Sequence, residues 1–468
     1  MGGAGPKPGG STILTVGRDI RPEPPGTDPA FSTSPSYEAA SRRAVPTEVL
    51  LTPANRLTAA GFVATAVAFG PARMGFGLFL PAFREEFALS TSTAGMIASG
   101  GFLAFLLALL ASAWIGVRYG ERVSVMTGAL AATAGFAAVA AGTPALLALG
   151  IALAGASAGL CWAPFNDAAE RVVPEDRRAS ALSVVSTGTS FGVVVAAGLA
   201  LAVTEGALDW RGAWIGFALS ALVLAAVARA GLPTGPGPKM TRRAVSDIVQ
   251  AYLPTQLSAE PTRRTVAAQA NLTQRAAIPL YGTALCFGMT NAIFLSFAAD
   301  RVVAAGGLPG LPDAAASVAI FLAYGICGVL GLATGRIEAR VGLAPLFCGI
   351  FAAGALSLVL IALAPTSWAA VLVASGVHGV AIMMVSAVFS FWSLRLFPGR
   401  GTLGFTATLL CVATGSVLGP ALAGLLATAE GPKVMFLAAA APPLATALWF
   451  AALLRRPRPR LQPLAEDQ

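Results

Sequence analysis

Charge is scarce in this chain. Only 11% of its 468 residues are Asp, Glu, Lys or Arg, and 56% are hydrophobic. A soluble chain of this length carries about 25% charged residues and splits into two or three domains, so the deficit excludes a soluble globular protein. There is a single histidine, His378, which excludes a histidine-rich metal centre. The five cysteines (Cys161, Cys286, Cys327, Cys348, Cys411) all sit inside apolar runs, as small core residues do, and form neither a disulfide framework nor a metal site. Carboxylates are missing from the apolar runs, with Asp167 and Asp300 coming nearest, at run ends. No serine or cysteine stands beside a histidine or acid in a catalytic arrangement, so neither an enzyme nor a cofactor is expected.

What the chain has instead is long apolar stretches. Twelve runs fall at roughly 58–81, 94–116, 123–142, 145–168, 180–203, 211–231, 277–300, 314–335, 342–364, 368–394, 402–427 and 434–454. Their length suits a hydrocarbon core about 30 Å thick, and they neither alternate nor shorten as barrel strands do. The expected architecture is all-α: twelve transmembrane helices in two six-helix bundles, 57–232 and 277–456. A polar linker, 233–276, joins the bundles. Residues 1–56, rich in Pro, Gly, Ser and Thr, read as a disordered tail, and 457–468 as a second tail.

Lys and Arg give the orientation. Of 31, 26 fall in the two tails, the linker and the loops on the same side; four (Arg84, Arg211, Arg301, Lys433) fall on the other, and Arg73 lies within a run. That asymmetry places both ends in the cytoplasm. It also explains the net charge of +9 without nucleic acid. Alanine and arginine usage points to a bacterial inner membrane, with a monomer expected.

The halves repeat. "FGPARMGFGLFLPAF" opens the first and "FGMTNAIFLSFAADR" the second, which pairs Gly70 with Gly288 and Arg73 with Asn291. Gly188 and Gly192 pair with Gly415 and Gly419, and Arg118 and Gly120 with Arg340 and Gly342. Two duplicated six-helix halves around a long linker suit rocking about a site at their interface.

With its 6+6 layout, its linker and its arginine-glycine loops, the sequence resembles the major facilitator superfamily over about residues 57 to 456. The usual loop pattern there is Gly-x-x-x-Asp-Arg-x-Gly-Arg. This chain keeps Arg118, Gly120 and Arg122 in one half and Arg340 and Gly342 in the other, but Val117 and Ala339 replace both aspartates. In the superfamily that aspartate helps latch the cytoplasmic side, so the latch is not expected in its usual form. The resemblance also implies that the first, fourth, seventh and tenth helices line a central cavity. That picks out Arg73, Trp162, Asn291 and His378 as substrate-binding candidates, with Asn166 and Asp167 as gate or capping groups near Arg171 and Arg177. At about 1.5 Å rise per residue, Arg73, Asn291 and His378 all lie about 4 to 5 Å to the outer side of their run midpoints.

Arg73 carries most of the functional argument. Placing arginine near mid-bilayer costs at least about 2.5 kcal/mol, and no span supplies a carboxylate to offset it. An anionic substrate would, and guanidinium's planar fork suits carboxylate or phosphate oxygens. Gly70 and Pro71 break the helix one turn earlier. Arg73 also resembles, by its spacing to Pro81, the phosphate-gripping arginine of the organophosphate:phosphate antiporters. The companion basic positions are Met74 and Asn291 here, so one cation fits a monoanion. The expectation is a secondary transporter of a small, monocarboxylate-like organic anion, with His378 either carrying a coupling proton or hydrogen-bonding the substrate, and with uniport or exchange as the alternatives to proton coupling. Two alternatives stand beside it: a drug or metabolite efflux permease of the same superfamily, and a transporter-like membrane sensor.

Overall fold

The computed structural model describes Gly2 and residues 52–235, 272, 274–397 and 401–455. Both expected tails, apart from a few residues, and most of the linker lie outside these. The fold is all-α, with no strand among the described residues, and these contain twelve helices long and apolar enough to cross a membrane.

In the first half, α1 (Pro53–Phe69) and α2 (Pro71–Phe87) make one broken span. They are followed by α3 (Thr91–Tyr119), α4 (Glu121–Ala140), α5 (Pro144–Trp162) continued by α6 (Pro164–Val172), α7 (Glu175–Thr204) and α8 (Trp210–Gly231). The second half has α9 (Ile278–Ala304), α10 (Asp313–Gly328), α11 (Thr334–Val341), α12 (Leu343–Leu363), α13 (Trp368–Leu396), α14 (Gly401–Glu430) and α15 (Pro432–Arg455). A 3₁₀ segment, Val329–Ala333, joins α10 to α11, so the eighth span is broken as well.

Local sequence sets the helix ends. Thr52 caps α1 by accepting from the Asn55 N–H at 3.3 Å, with Pro53 in the first turn. Ser90 accepts from the Thr93 N–H at 3.0 Å, and Asp209 from the Gly212 N–H at 2.7 Å. At the loops between the second and third spans of each half, Gly120 (φ 93, ψ 164) and Gly342 (φ 87, ψ 169) hold the same left-handed turn, which a side chain would strain. These two glycines were paired by sequence, and their backbones match.

Glycines also set the packing inside each half. A Cβ on Gly188 or Gly192 would strike the Phe62 or Ala66 carbonyl of α1. A Cβ on Gly415 or Gly419 would strike the Leu285 or Met289 carbonyl of α9. The fifth span of each half thus meets the first through the same small-residue pair, with backbones in contact. This register makes Phe62 the equivalent of Leu285 and Ala66 that of Met289. Carried along the helix, it makes Arg73 the equivalent of Ser296, not of Asn291. The pairing of the two opening segments is therefore corrected: their shared Phe-Gly start is compositional, and packing fixes the register.

Aromatic clusters fill the bundle interiors. Trp214 on α8 packs edge-on against Phe79, Phe136 and Phe217 at 5.6–5.9 Å. In the second half Phe347 stacks on Phe450 at 5.0 Å and meets Trp392 at 5.0 Å. Edge-to-face ring pairs at such spacing add about 0.5–1.5 kcal/mol each beyond the area they bury. Exposed side chains such as Leu107, Leu219, Leu222 and Leu448 form the outer surface, as expected where lipid is the solvent.

Candidate substrate-binding site

A cavity of about 480 Å³ lies between the halves. Its wall is mostly apolar and takes residues from both bundles: Thr65 and Phe69 of α1, Arg73 of α2, Trp162 of α5, Ser186 and Ser190 of α7, then Phe287 and Asn291 of α9, Tyr324 of α10 and Phe389 of α13. The α9 residues at the wall run from Phe287 to Leu295, about 12 Å along the helix. From the level of Arg73 the cavity extends toward the face that carries the start of α1 and the end of α15.

Arg73 is the one charged side chain among the wall residues. The break at Gly70 and Pro71 presents it. Gly70 donates to the Ala66 carbonyl and accepts from the Met74 N–H, both at 2.9 Å, while Pro71 has no N–H to continue the ladder. Gly70 also lies so close to Gly192 that a Cβ would meet the Gly192 carbonyl. The guanidinium carbon stands 5.7, 5.5 and 4.9 Å from the ring centres of Phe69, Phe102 and Phe105. Cation–π contacts of this kind give about 0.5–2 kcal/mol each, which offsets part of the burial cost. The rings supply no hydrogen-bond acceptor, however, and guanidinium has five N–H donors. Among the described residues Arg73 makes no ion pair and no hydrogen bond. A second pocket of about 30 Å³ lies on its other side, bordered by Phe102, Gly155 and Ser296.

The sequence-selected residues are only partly brought together. Arg73, Trp162 and Asn291 share the cavity wall. Trp162 sits edge-on to Phe69 at 5.9 Å. Asn291 is 1% exposed, and its carboxamide has no partner among the described residues, at a cost of about 1–3 kcal/mol for each unmet group. His378 is not at the wall. It is stacked on Phe294 at 4.0 Å and 11°, with Tyr324 6.3 Å from it, and neither ring nitrogen has a partner among the described residues. The expected three-residue layer is corrected accordingly: equal depth along three helices did not mean a common face. Two wall features have no counterpart in the sequence reading, the aromatic collar around Arg73 and the phenol of Tyr324. Helical spacing alone made both look like core.

The loop and gate residues also separate. Arg118 lies over the Tyr119 ring at 5.7 Å, Arg122 keeps a buried Nε without a partner, and Arg340 is exposed. Asp167 is exposed in the first turn of α6 and forms no ion pair among the described residues. Of Asn166 only the backbone, within α6, is described. The expected pairing of Asp167 with Arg171 or Arg177 is replaced. Arg171 pairs with the buried Glu121 at 2.5 Å, and Arg177 only with its exposed neighbour Asp176 at 3.8 Å. In the second half Arg395, at the end of α13, pairs with Glu338 of α11 at 2.5 Å. Each half therefore ties the end of its fourth span to its arginine-glycine loop, although the usual aspartates are missing.

Toward the opposite face the halves touch. A Cβ on Gly77 of α2 would overlap the Leu295 carbonyl of α9, and Gly95 of α3 lies against Pro420 and Gly424 of α14. Arg84 of α2 pairs with Asp300 of α9 at 2.6 Å. The cavity is closed on this side by backbone contact and one inter-half ion pair.

Two pseudo-symmetric helical bundles around a central cavity, closed at one face, have the architecture of a membrane transporter. The model of the Major Facilitator Superfamily matches residues 61–393, and the chain belongs to that family. No curated protein matches it significantly. Among solved structures it is similar to a mutant of the nucleoside transporter NupG (TM-score 0.70, 12% identity, 86% of this chain and 100% of that one). It is also similar to a POT family transporter in complex with 5-aminolevulinic acid (0.64, 16%, 86% and 95%), and to the peptide transporter POT in complex with sulfate (0.63, 16%, 85% and 94%).

Proposed function

We propose that this transporter moves an organic monoanion across a bacterial inner membrane, with both termini in the cytoplasm. The observation that carries the reading is Arg73: a guanidinium at the wall of the inter-half cavity, collared by three phenyl rings and without a protein carboxylate. A bound carboxylate would supply both the counter-charge and the missing acceptors, in the bidentate geometry guanidinium favours. A single cation balances a single negative charge. The volume and apolar wall fit an anion with a hydrocarbon or aromatic body, since pockets of about 300–1,000 Å³ hold molecules of drug size. Two transporters of the same fold, each 16% identical, were solved in complex with 5-aminolevulinic acid and with sulfate. A cationic-drug exporter would want an acid where this wall has Arg73.

With the basic loops in the cytoplasm, the cavity faces inward, and Gly77, Leu295 and the Arg84–Asp300 pair seal the periplasmic side. The substrate would be released or captured there and exposed outward when the halves rock. His378, behind Phe294, is read as a packing group rather than a proton carrier.

The test is uptake or counterflow of a carboxylate panel into liposomes holding purified protein. Arg73→Ala should remove anion flux while the protein still inserts and elutes as a folded species. Unchanged flux would refute the anion site. A protein that binds an anion but moves none would be a sensor.

A further inference from the structure

Arg73 accounts for one polar group at the cavity. Among the other polar wall residues, two from the second half are buried without a partner. Asn291 is 1% exposed and Tyr324 fully buried, and both line the cavity. Neither the carboxamide oxygen and nitrogen of Asn291 nor the Tyr324 hydroxyl has a hydrogen-bond partner among the described residues. Buried polar atoms are nearly always paired, so two exceptions at one wall call for an occupant. Their positions are held tightly. Gly379 of α13 lies against the Tyr324 carbonyl, where a Cβ would collide. Phe294, one turn after Asn291, stacks parallel to the Tyr324 ring at 6.3 Å. The adjoining wall, Phe287, Leu295 and Val412, is apolar and offers these groups nothing.

We infer that Asn291 and Tyr324 form a neutral hydrogen-bonding subsite on the second half, and that the passenger is a carboxylate bearing a hydroxyl or amide at its far end. The inference rests on the Arg73 reading for the carboxylate end. A carboxamide presents two donors and an acceptor, and a phenol one of each. A hydroxyl or amide both gives and takes hydrogen bonds, so it can satisfy the pair; a bare hydrocarbon leaves it unmet. Such a molecule contacts both bundles at once, Arg73 on the first and Asn291 with Tyr324 on the second. That bridging would let binding favour closure of the cavity.

The experiment is titration calorimetry on the full chain in nanodiscs with four probes: phenylacetate, para-hydroxyphenylacetate and the methyl ester of each. The wild type should bind the hydroxylated acid about tenfold more tightly than phenylacetate. Asn291→Leu and Tyr324→Phe should reduce that preference to within about twofold and leave phenylacetate affinity unchanged. Tyr324→Phe removes a single oxygen and so keeps the test free of folding effects. Arg73→Gln should weaken both acids alike and keep the preference. A preference that survives Asn291→Leu and Tyr324→Phe overturns the subsite, as does equal affinity for the two acids in the wild type or binding of none of the probes. If the hydroxylated ester binds as well as its acid and still depends on Asn291, the subsite stands and the anion reading falls. If both acids far exceed their esters with no hydroxyl preference, the anion reading stands and the subsite falls.

Discussion

The two halves share their packing and differ in their chemistry. Each sets its fifth span on its first through a glycine pair, turns its arginine-glycine loop at a left-handed glycine, and ties the end of its fourth span to an acid near that loop. Yet the first half brings a lone cation to the cavity, and the second brings neutral groups, Asn291 and Tyr324. Symmetry is kept where backbones meet and abandoned where a substrate would sit. A rocking carrier needs matched hinges but not matched walls, because the substrate itself has no two-fold axis.

The sharpest way to break this comparison is through the glycines. Gly192→Leu and Gly419→Leu each drive a side chain into a neighbouring carbonyl, and overpacking of this kind costs about 1–3 kcal/mol or more. Both should collapse the folded peak in detergent gel filtration. Tolerance of one but not the other would mean the halves do not share a packing rule.

Next in size is the cation itself. Hydrogen bonds to charged groups are worth about 1.5–3 kcal/mol, so Arg73→Gln should weaken carboxylate binding by about 10- to 100-fold. Arg73→Lys should recover part of the loss, because charge returns without the fork. Full recovery would show that only charge matters.

A smaller effect is expected at the closed face. Arg84 and Asp300 are partly exposed, at 31% and 13%, and such pairs contribute about 0.5–1 kcal/mol. Arg84→Ala should shift the carrier toward its outward-open form by about two- to fivefold, read as faster labelling, by a membrane-impermeant thiol reagent added on the periplasmic side, of a cysteine placed at Ala299, which is buried at 1% exposure and lies outside the cavity wall. The double exchange Arg84→Asp with Asp300→Arg should restore the wild-type rate. If labelling does not change, the backbone contact at Gly77 holds this face alone. The smallest effect belongs to His378→Phe, which should alter anion affinity by less than about twofold, since this ring stacks on Phe294 and is not among the wall residues. A large loss would return His378 to the site.

The sequence carried the helices and the cation more clearly than the faces. Twelve apolar runs, a charge asymmetry and the Gly188/Gly192 and Gly415/Gly419 pairs were legible because hydropathy and small-residue spacing depend directly on lipid contact and backbone approach. Arg73 stood out because the other charges within the spans, such as Asp167, Arg211, Arg229 and Asp300, lie at or near span ends. The failures concern direction. His378 has the depth expected of it, but its ring turns to Phe294, because which side of a helix faces the cavity is decided by packing against neighbours. Tyr324 was invisible for the converse reason: one aromatic in an apolar span reads as core until its hydroxyl is found unpaired at a wall. The Glu121–Arg171 and Glu338–Arg395 pairs were missed because the acids have moved away from the motif position that the resemblance pointed to. Similarly, the Phe-Gly openings of the halves suggested a register that the glycine contacts correct.

The most direct measurement of the central claim is a thermal shift of purified wild type and Arg73→Gln against para-hydroxyphenylacetate and its uncharged amide. A ligand that binds the folded state raises its stability by RT ln(1 + [L]/Kd), about 2.7 kcal/mol at a hundredfold excess over Kd. The account predicts stabilisation of the wild type by the acid and not by the amide, and no acid-specific gain in Arg73→Gln. Equal stabilisation by acid and amide, or an acid effect that survives the loss of Arg73, would contradict it.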